Sequence, residues 1–353
     1  MTNDVPATPA FPAATPSAIG FTSGPPLYIA SAASTPLPAL PLADAVRDGL
    51  ISEENAKITG MTSVAVADES TSVFDIASAA ALAATSRADV PVTDIGAVLF
   101  ANVFPYTRPR LYNMATGLAE VVGAPCDFAT ELSGGCVAGL NALLLAAYRL
   151  LPSHDRAALI VAADVWRMPH IDRYNCEQGY IFADGASAVV VGRDAGFARI
   201  LSAATLTDPT LSGIHAEVPS DRTPVDITAR ARNFLQTRMG TDQVLPRLRG
   251  GLRATIDAAL AQARVDSLAD VAHVLVPAIG EPFLYRNYLD PLDIPISRTT
   301  WDYSAVTGHT GAADQFSALA HLVDTGKCSS GDIILMIAEG LGFQWSLVVL
   351  QVR

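Results

Sequence analysis

Residues 131–139 read Glu-Leu-Ser-Gly-Gly-Cys-Val-Ala-Gly, and the apolar residues that follow keep helical spacing as far as residue 151. The small residues permit a tight turn, so Cys136 is predicted to lie at the N-terminus of a helix. Two continuous apolar runs, at 158–163 and 186–192, come next and have the composition of buried strands. Helices alternating with buried strands indicate an α/β fold, in which helices cover both faces of a sheet.

The same succession recurs in the second half of the chain. His309 precedes a predicted helix over 311–325, and two apolar strands and a glycine-containing turn follow. We interpret this recurrence as an internal duplication, which would bring the two helix N-termini together at one seam. Because any α/β protein repeats helices and strands, a succession without duplication remains the alternative.

The rest of the chain follows the same patterns. Further helices are predicted at 73–88, 112–122 and 244–264, and further strands at 97–102, 200–205 and 273–276. Residues 1–26 contain six prolines and no periodicity, which predicts a flexible tail. We therefore divide the chain into this tail, a first half over 27–195 with the nucleophile, and a second half over 196–353 with the His/Asp pair and the Gly-rich turn.

The amino-acid composition limits which classes of protein and which binding partners fit this sequence. Half of the 353 residues are hydrophobic and 16% are charged, which supplies a large core and excludes a disordered or fibrous chain. A net charge of −12 argues against nucleic acid and anionic membranes as partners, and leaves small molecules and acylated carriers. With no apolar run of eighteen residues and no basic residue before Arg47, we expect a soluble, cytoplasmic protein.

Cys136 is the one cysteine in a setting that suits catalysis. Unpaired N–H groups and the helix dipole at a helix N-terminus favour thiolate over thiol, which is how a cysteine becomes a nucleophile. The alternative is an inert buried cysteine, the common fate of this residue type. Cys126, Cys176 and Cys328 have no such surroundings and are interpreted as structural, since the four cysteines have the spacing of neither a disulfide framework nor a zinc site.

His309 and Asp314 are the second candidate feature. The histidine lies in a loop of small residues, and the aspartate follows about one helical turn later. A carboxylate within reach of an imidazole fixes its tautomer and stabilises its charged form. The alternative is that Asp314 caps the helix and His309 is an ordinary loop residue.

The turn Gly340-Leu341-Gly342 has two interpretations. It could be a simple hairpin turn, or it could present the backbone N–H of Leu341, together with that of Cys136, as an oxyanion hole. No phosphate-binding loop, dinucleotide-binding glycine motif or metal-spaced His/Cys cluster occurs in the sequence. We therefore expect no tightly bound cofactor and no metal.

Four segments together resemble the β-ketoacyl-ACP synthase III group of the thiolase superfamily, in order as well as content. They are residues 134–139, 182–188, 308–313 and 340–345, and the resemblance extends from about residue 27 to the C-terminus. It implies a thiolase-like, five-layered αβαβα fold of two pseudo-repeated halves, in a homodimer with the active site at the seam. It also implies acyl-CoA or an acyl carrier protein as the source of the acyl group.

Two positions depart from the family pattern. Where the condensing enzymes carry a catalytic histidine after a proline, this chain has Ala278, and where they carry an asparagine it has His309. The condensing enzymes use that histidine and asparagine together to hold an enolate, so carbon–carbon bond formation is not favoured here. The remaining Cys136, His309 and Asp314 resemble a branch of synthase-III-like acyltransferases of natural-product pathways.

The sequence thus predicts an acyltransferase that works through an acyl-cysteine. The acyl group would pass from a CoA or carrier-protein thioester to a hydroxyl or amine of a sugar, cyclitol or related small molecule. Arg108 lies where the family's loop reaches the partner's acyl pocket and is predicted to bind substrate, an exposed surface position being its alternative. A condensing synthase with a rebuilt site, a non-catalytic synthase-like partner and a thioesterase are the other interpretations.

Overall fold

The computed structural model describes residues 14–22, 24–103, 111–152, 155–216 and 224–353. Arg108 lies outside the described residues. The strands are β1 (Ser17–Gly20), β2 (Leu27–Ser34), β3 (Ala39–Pro41), β4 (Ser63–Ala65), β5 (Ile95–Asn102), β6 (Phe128–Ser133), β7 (Ala157–Asp164), β8 (Gly185–Gly192), β9 (Ala198–Thr207), β10 (His273–Leu275), β11 (Ile333–Gly340) and β12 (Gln344–Val352). The helices are α1 (Leu42–Arg47), α2 (Glu53–Thr59), α3 (Val73–Arg87), α4 (Met114–Val122), α5 (Ala138–Leu150), α6 (Ile227–Thr237), α7 (Thr241–Ala263), α8 (Glu281–Leu284), α9 (Asp290–Leu292), α10 (Trp301–Thr307) and α11 (Asp314–Asp324). None of these helices is both long and apolar enough to cross a bilayer.

One arrangement of four strands occurs twice in the large sheet. Its path is β10-β11-β12-β9-β2-β8-β7-β5-β6, with β1 paired to β9 outside this path. In the first half β5, β7, β8 and β2 are successive neighbours, and in the second half β10, β11, β12 and β9 are. In both sets the first pair is parallel and the next two pairs are antiparallel. This repeat agrees with the predicted duplication, whereas the exact division of the chain at residues 26 and 195 stays a prediction.

Five layers follow from where the helices pack. Helices α3 and α4 share a buried apolar cluster with β5, β7 and β8, and α7 shares another with β9, β11 and β12. Helices α5 and α11 lie between, in a cluster that contains residues of both sets of strands. Strands β7 and β8 are buried along their whole length because helices cover both of their faces. The predicted αβαβα architecture is therefore confirmed.

The two central helices begin beside each other. Each follows a single 3₁₀ turn, Gly135–Val137 before α5 and Gly311–Ala313 before α11. A Cβ placed on Gly139 in the first turn of α5 would lie 2.3 Å from the carbonyl oxygen of Ala312. Glycine is therefore required at position 139 for this approach, which brings the turns that carry Cys136 and His309 together.

The predicted helices and strands are present, with ends shifted by a few residues, but the prediction of a tail over 1–26 is wrong for its described part. Strand β1 pairs antiparallel with β9, and Phe21 is only 2% exposed. The edge of β9 supplies hydrogen-bond partners that a local pattern does not reveal. Strand β6 and helix α6 were also missed; β6 is partly exposed at the end of the sheet and lacks a continuous apolar run.

Replacing Gly139 with alanine tests the contact between the two central helices. The added methyl group meets backbone rather than a mobile side chain, so we expect a loss of about 1–3 kcal/mol in the free energy of unfolding. Gly250→Ala, in helix α7 with open space around its position, is the matched control and should stabilise the protein by about 0.5–1 kcal/mol. Equal denaturation midpoints for Gly139→Ala and the unaltered protein would show that this approach is not tight.

Candidate active site

Cys136 lies in the turn between β6 and α5. Gly135 before it has a φ of +75°, a conformation that favours glycine and bends the chain sharply ahead of the helix. The thiol therefore stands at the positive end of α5, within the central layer of the fold. This is the position that the sequence predicted.

The structure brings Cys136, His309 and Asp314 into one chain of contacts. The sulfur of Cys136 lies 3.1 Å from Nε2 of His309, and Nδ1 of the same ring lies 2.5 Å from Oδ2 of Asp314. With Nδ1 donating its proton to the carboxylate, Nε2 of the neutral ring carries a lone pair directed at the thiol. The arrangement can remove the proton from Cys136.

Asp314 is held by further donors besides His309. Its Oδ1 accepts hydrogen bonds from the backbone N–H and the hydroxyl of Thr310, at 2.6 and 2.7 Å, and its Oδ2 accepts one from the backbone N–H of Ala278 at 2.9 Å. Donors on both oxygens fix the carboxylate in its ionised form. Asp314 therefore does more than cap a helix.

The ring of His309 is also fixed by its own backbone and by two aromatic neighbours. His309 N–H donates to the carbonyl oxygen of Ile181, and Ala183 N–H donates to that of His309, both at 2.8 Å. The rings of Tyr180 and Phe182 stand edge-on to the imidazole, with centroids 5.1 and 5.2 Å away. Residues 180–183 of the first half thus lie directly against the loop of the second half that carries His309, at the predicted seam.

Burial and charge act against each other on the three ionisable groups. Burial raises the pKa of the Cys136 thiol, and the neighbouring His309 opposes this effect. Burial by itself would lower the pKa of His309, but Asp314 and Cys136 hold it well above its ordinary value. Burial by itself would raise the pKa of Asp314, but His309 and the hydrogen bonds to the carboxylate keep it low. The imidazole is therefore basic enough to accept the proton of the thiol, whereas burial disfavours ionisation of the thiol by itself.

The Gly-rich turn lies against the turn that carries the thiol. The backbone nitrogen of Leu341 would be 2.8 Å from a Cβ on Gly135, and a Cβ on Gly340 would be 3.2 Å from the backbone nitrogen of Cys136. The two turns are therefore in contact, and the backbone nitrogen of Leu341 lies beside the turn that carries the sulfur. Backbone donors in such a place can stabilise the negative oxygen of a tetrahedral intermediate.

The carboxylates of Asp184 and Asp164 are structural. Asp184 forms an ion pair with Arg173 at 3.0 Å and accepts hydrogen bonds from the backbone N–H groups of Ala67 and Trp166. Asp164 accepts one from the backbone N–H of Ala312, next to the turn before α11, and burial raises its pKa to about 8. Both carboxylates join segments that are distant in sequence.

A cavity of about 520 Å³ opens onto the sulfur and the imidazole. Cys136, His309, Gly340 and Leu341 line one part of it, and side chains of α6 and α7 line another. None of the three other cysteines lines this cavity within the described ranges, and the same ranges hold no cluster of three or more His, Cys, Asp or Glu suited to a metal.

Two further carboxyl groups line this cavity and were not identified from the sequence. They belong to Glu177 and Glu339, and burial raises the pKa of each to about 7. Glu339 had a sequence signal, because a glutamate interrupts an apolar strand two residues before Leu341. Glu177 lies in a polar loop and had no such signal.

Two protein-family models match the chain. Residues 130–209 match 3-oxoacyl-[acyl-carrier-protein] synthase III, and residues 260–352 match the C-terminal part of the same enzyme. The matched regions contain Cys136 in the first case, and Ala278, His309, Asp314 and Leu341 in the second.

Individual proteins agree with these matches. The mycobacterial β-ketoacyl-ACP synthase III of Mycobacterium tuberculosis H37Rv is 29% identical over 310 residues, covering 83% of this chain and 85% of that protein. The β-ketoacyl-ACP synthase III of Porphyra purpurea is 25% identical over 300 residues, covering 83% and 88%.

Solved structures agree as well. ChlB3, described as an acyltransferase, is 30% identical with a TM-score of 0.87, covering 93% of this chain and 98% of its own. The 3-oxoacyl-ACP synthase III of Xanthomonas oryzae pv. oryzae is 17% identical with a TM-score of 0.73, covering 92% and 98%, and at that identity shows the shared fold alone.

Alkylation of Cys136 by iodoacetamide, followed by peptide mass mapping, tests the contact between sulfur and imidazole. His309 lowers the pKa of the thiol, so His309→Ala should raise that pKa and slow alkylation at pH 7 by about tenfold or more. His321→Ala, on the far end of α11, is the control and should leave the rate unchanged. An unaltered rate in His309→Ala would show that the imidazole does not act on the thiol.

Proposed function

Because the chain belongs to the 3-oxoacyl-ACP synthase III family of the thiolase superfamily, we propose that it is an acyltransferase that works through an acyl-cysteine intermediate. The observation that carries this proposal is the continuous contact from the Cys136 sulfur through His309 to the Asp314 carboxylate. A nucleophile, a base and an orienting carboxylate are what acyl transfer to oxygen or nitrogen requires. We place the enzyme among the acyltransferases that transfer groups other than aminoacyl groups.

In the first half-reaction the sulfur of Cys136 attacks the carbonyl carbon of an acyl thioester. His309 takes the thiol proton, and the backbone N–H groups of Cys136 and Leu341 stabilise the negative oxygen. The intermediate collapses, the bond to the carrier sulfur breaks, and the carrier leaves as a thiol with the proton from His309. The acyl group remains on Cys136.

In the second half-reaction an acceptor hydroxyl or amine attacks the acyl-cysteine. His309, oriented by Asp314, removes the acceptor proton while the new C–O or C–N bond forms. The C–S bond then breaks, and the proton moves from the imidazole to the sulfur. The enzyme returns to its free thiol form.

The geometry around Asp314 supports acyl transfer over condensation. At the position of the family's catalytic histidine, Ala278 offers a methyl side chain, and its backbone N–H is bonded to Asp314. A methyl group donates no hydrogen bond to an enolate, and His309 is already bonded to a carboxylate on one side and faces the thiol on the other. These contacts suit proton transfer between His309 and the sulfur of Cys136.

We propose acyl-CoA or an acyl carrier protein as the donor. Arg230, Arg232 and Arg286 line the same cavity as the thiol, and their guanidinium groups suit the phosphates of coenzyme A or phosphopantetheine. Arg108 stays a predicted substrate-binding residue. Since such thioesters are made in the cytoplasm, we also propose that location for the reaction.

We propose a sugar, a cyclitol or another intermediate of a natural-product pathway as the acceptor. The chemistry described needs no tightly bound cofactor and no metal, because the thioester supplies the activated acyl group. Its acceptor needs only a hydroxyl or amine that can reach the acyl-cysteine.

Intact-protein mass spectrometry after incubation with acyl thioesters, without acceptor, tests the nucleophile. We expect acetyl-, butyryl-, malonyl- or benzoyl-CoA, or the matching N-acetylcysteamine thioester, to add one full acyl mass to the protein and none to Cys136→Ala. Cys328→Ala is the control and should still be acylated.

Two results would contradict the proposed function. One is the same adduct on Cys136→Ala. The other is release of carbon dioxide from a malonyl donor with a product that contains a new carbon–carbon bond, which would establish condensation.

We further propose that the protein works as a homodimer. Strand β6 pairs with β5 along one edge, and its other edge ends the sheet path. Within the described residues, one edge of this partly exposed strand has no strand partner, and a second copy could pair with it.

Light scattering coupled to size-exclusion chromatography tests this assembly. We expect a mass of about twice the 36.9 kDa of one chain across a range of micromolar concentrations. A mass of one chain at the highest concentration would contradict the proposed dimer.

A further inference from the structure

The catalytic cavity contains a polar group that the proposed mechanism does not use, the carboxyl of Glu339. Its Oε1 accepts a hydrogen bond from the indole N–H of Trp345 at 3.1 Å, and the carboxyl also hydrogen-bonds with the hydroxyl of Tyr288. Trp345 and Tyr288 are 0% and 1% exposed, so both anchors are part of the core. Two immobile donors fix this carboxyl where it lines the cavity.

The position of Glu339 relative to the reacting groups is fixed by the strand it ends. It lies two residues before Leu341, whose backbone N–H belongs to the proposed oxyanion hole, and it pairs across the sheet with Trp345. Strand β11 therefore delivers the carboxyl and the oxyanion turn to the same part of the cavity. The sulfur of Cys136 and this carboxyl line one cavity, so an acceptor bound there can face both.

Aromatic side chains next to Glu339 form a surface that extends away from the sulfur. The rings of Trp345 and Phe343 lie 5.0 Å apart, and the ring of His215 lies 6.0 Å from that of Phe343. Phe343 and His215 both line the cavity. An apolar ring between two polar groups is the kind of surface on which a small-molecule ring can lie while its substituents find hydrogen bonds.

His215 is an independent sign that this surface takes a polar ligand. Its Nδ1 is buried and has no hydrogen-bond partner among the described residues. Burial and the nearby Arg230 lower the pKa of His215 to about 4, so the ring is neutral and can accept or donate one hydrogen bond. A buried polar atom without a partner costs free energy that a ligand hydroxyl would recover.

We propose that Glu339 is the specificity-determining residue for the acceptor, and that the acceptor is a polyhydroxylated ring. A hydroxyl next to the reacting one donates to Glu339, the apolar face of the ring lies on Phe343, and a distal hydroxyl meets His215. The inference rests on the proposed acyl transfer to a sugar or cyclitol and deepens it, because it names the group that selects this acceptor.

The chemistry of the carboxyl favours hydroxyl donors over anions. Ionised or neutral, a carboxyl accepts hydrogen bonds, and its two oxygens together have lone pairs for a further donor besides Trp345 and Tyr288. Glu177 adds a second carboxyl to the same cavity. An acceptor with a carboxylate of its own would be repelled by both.

The test compares discharge of the acyl-enzyme by chosen acceptors. Protein acylated by the thioester that gives the largest adduct in mass spectrometry is mixed with myo-inositol, glucosamine, cyclohexanol or gluconate at equal concentration. We expect myo-inositol or glucosamine to discharge the acyl-cysteine about 10- to 100-fold faster than cyclohexanol, because a hydrogen bond to a charged group is lost in the latter. Gluconate should be no better than water.

Glu339→Gln then tests the residue itself. The carboxamide keeps an oxygen for Trp345 but loses the charge, so the preference for myo-inositol over cyclohexanol should fall to about threefold or less, seen as a raised KM for the acceptor. The rate of Cys136 acylation is measured beside it, since a merely structural role would disturb both half-reactions. Glu120→Gln, on the exposed face of α4, is the matched control, and melting temperatures of all variants verify folding.

Each possible result contradicts a specific part of the proposal or supports it. Equal discharge by myo-inositol, glucosamine and cyclohexanol, or discharge by none of them faster than by water, overturns the acceptor class. An unchanged preference in Glu339→Gln overturns the assignment of this residue while acyl-cysteine chemistry stands. Failure of every thioester to acylate Cys136 overturns the proposed function itself, and the inference with it.

Discussion

The hydrogen bonds accepted by Asp314 hold the site together. Its carboxylate is bonded to the imidazole of His309, to the backbone and hydroxyl of Thr310, and to the backbone of Ala278. The first two belong to the loop before α11, and the third follows strand β10. A buried charge is tolerated only when it is fully paired, so these segments cannot separate without leaving a carboxylate unsatisfied. The base of the site is therefore fixed by the same contacts that fix the fold around it.

Duplication explains why these groups meet the thiol. Each half of the chain contributes a 3₁₀ turn followed by a helix, and both helices occupy the central layer. One turn supplies the nucleophile and the loop before the other supplies the base. Contact between Gly139 and the carbonyl of Ala312 lets the halves approach at this point. In a site between two repeats, the residues of one half can change while the nucleophile of the other half is kept. The two departures from the family pattern, His309 and Ala278, both lie in the second half.

The polar groups of the cavity form two sets that have different hydrogen-bond partners. Cys136 and His309 interact with each other, whereas Glu339 is held by Trp345 and Tyr288 from the core of the second half. Burial raises the pKa of Glu339 to about 7, while the same burial at Asp314 is outweighed by the charge of His309. The environment thus gives similar carboxyl groups different roles, one orienting a base and the other facing the cavity.

The sequence by itself determined the α/β class, the duplication, most helices and strands, and the choice of Cys136, His309 and Asp314 as candidate site residues. Local patterns were sufficient for the helices and strands, because buried strands are continuous apolar runs and a turn of small residues before a helix is visible in the sequence. The three candidate residues were preferred over their local alternatives through the family resemblance. It could not reveal β1 or β6, whose stability comes from strands distant in the sequence. Nor could it reveal that Ala278 donates its backbone N–H to Asp314, or that Glu177 and Glu339 share one cavity with the thiol. Those relations join residues dozens to just over two hundred positions apart, and only tertiary packing decides which of them become neighbours.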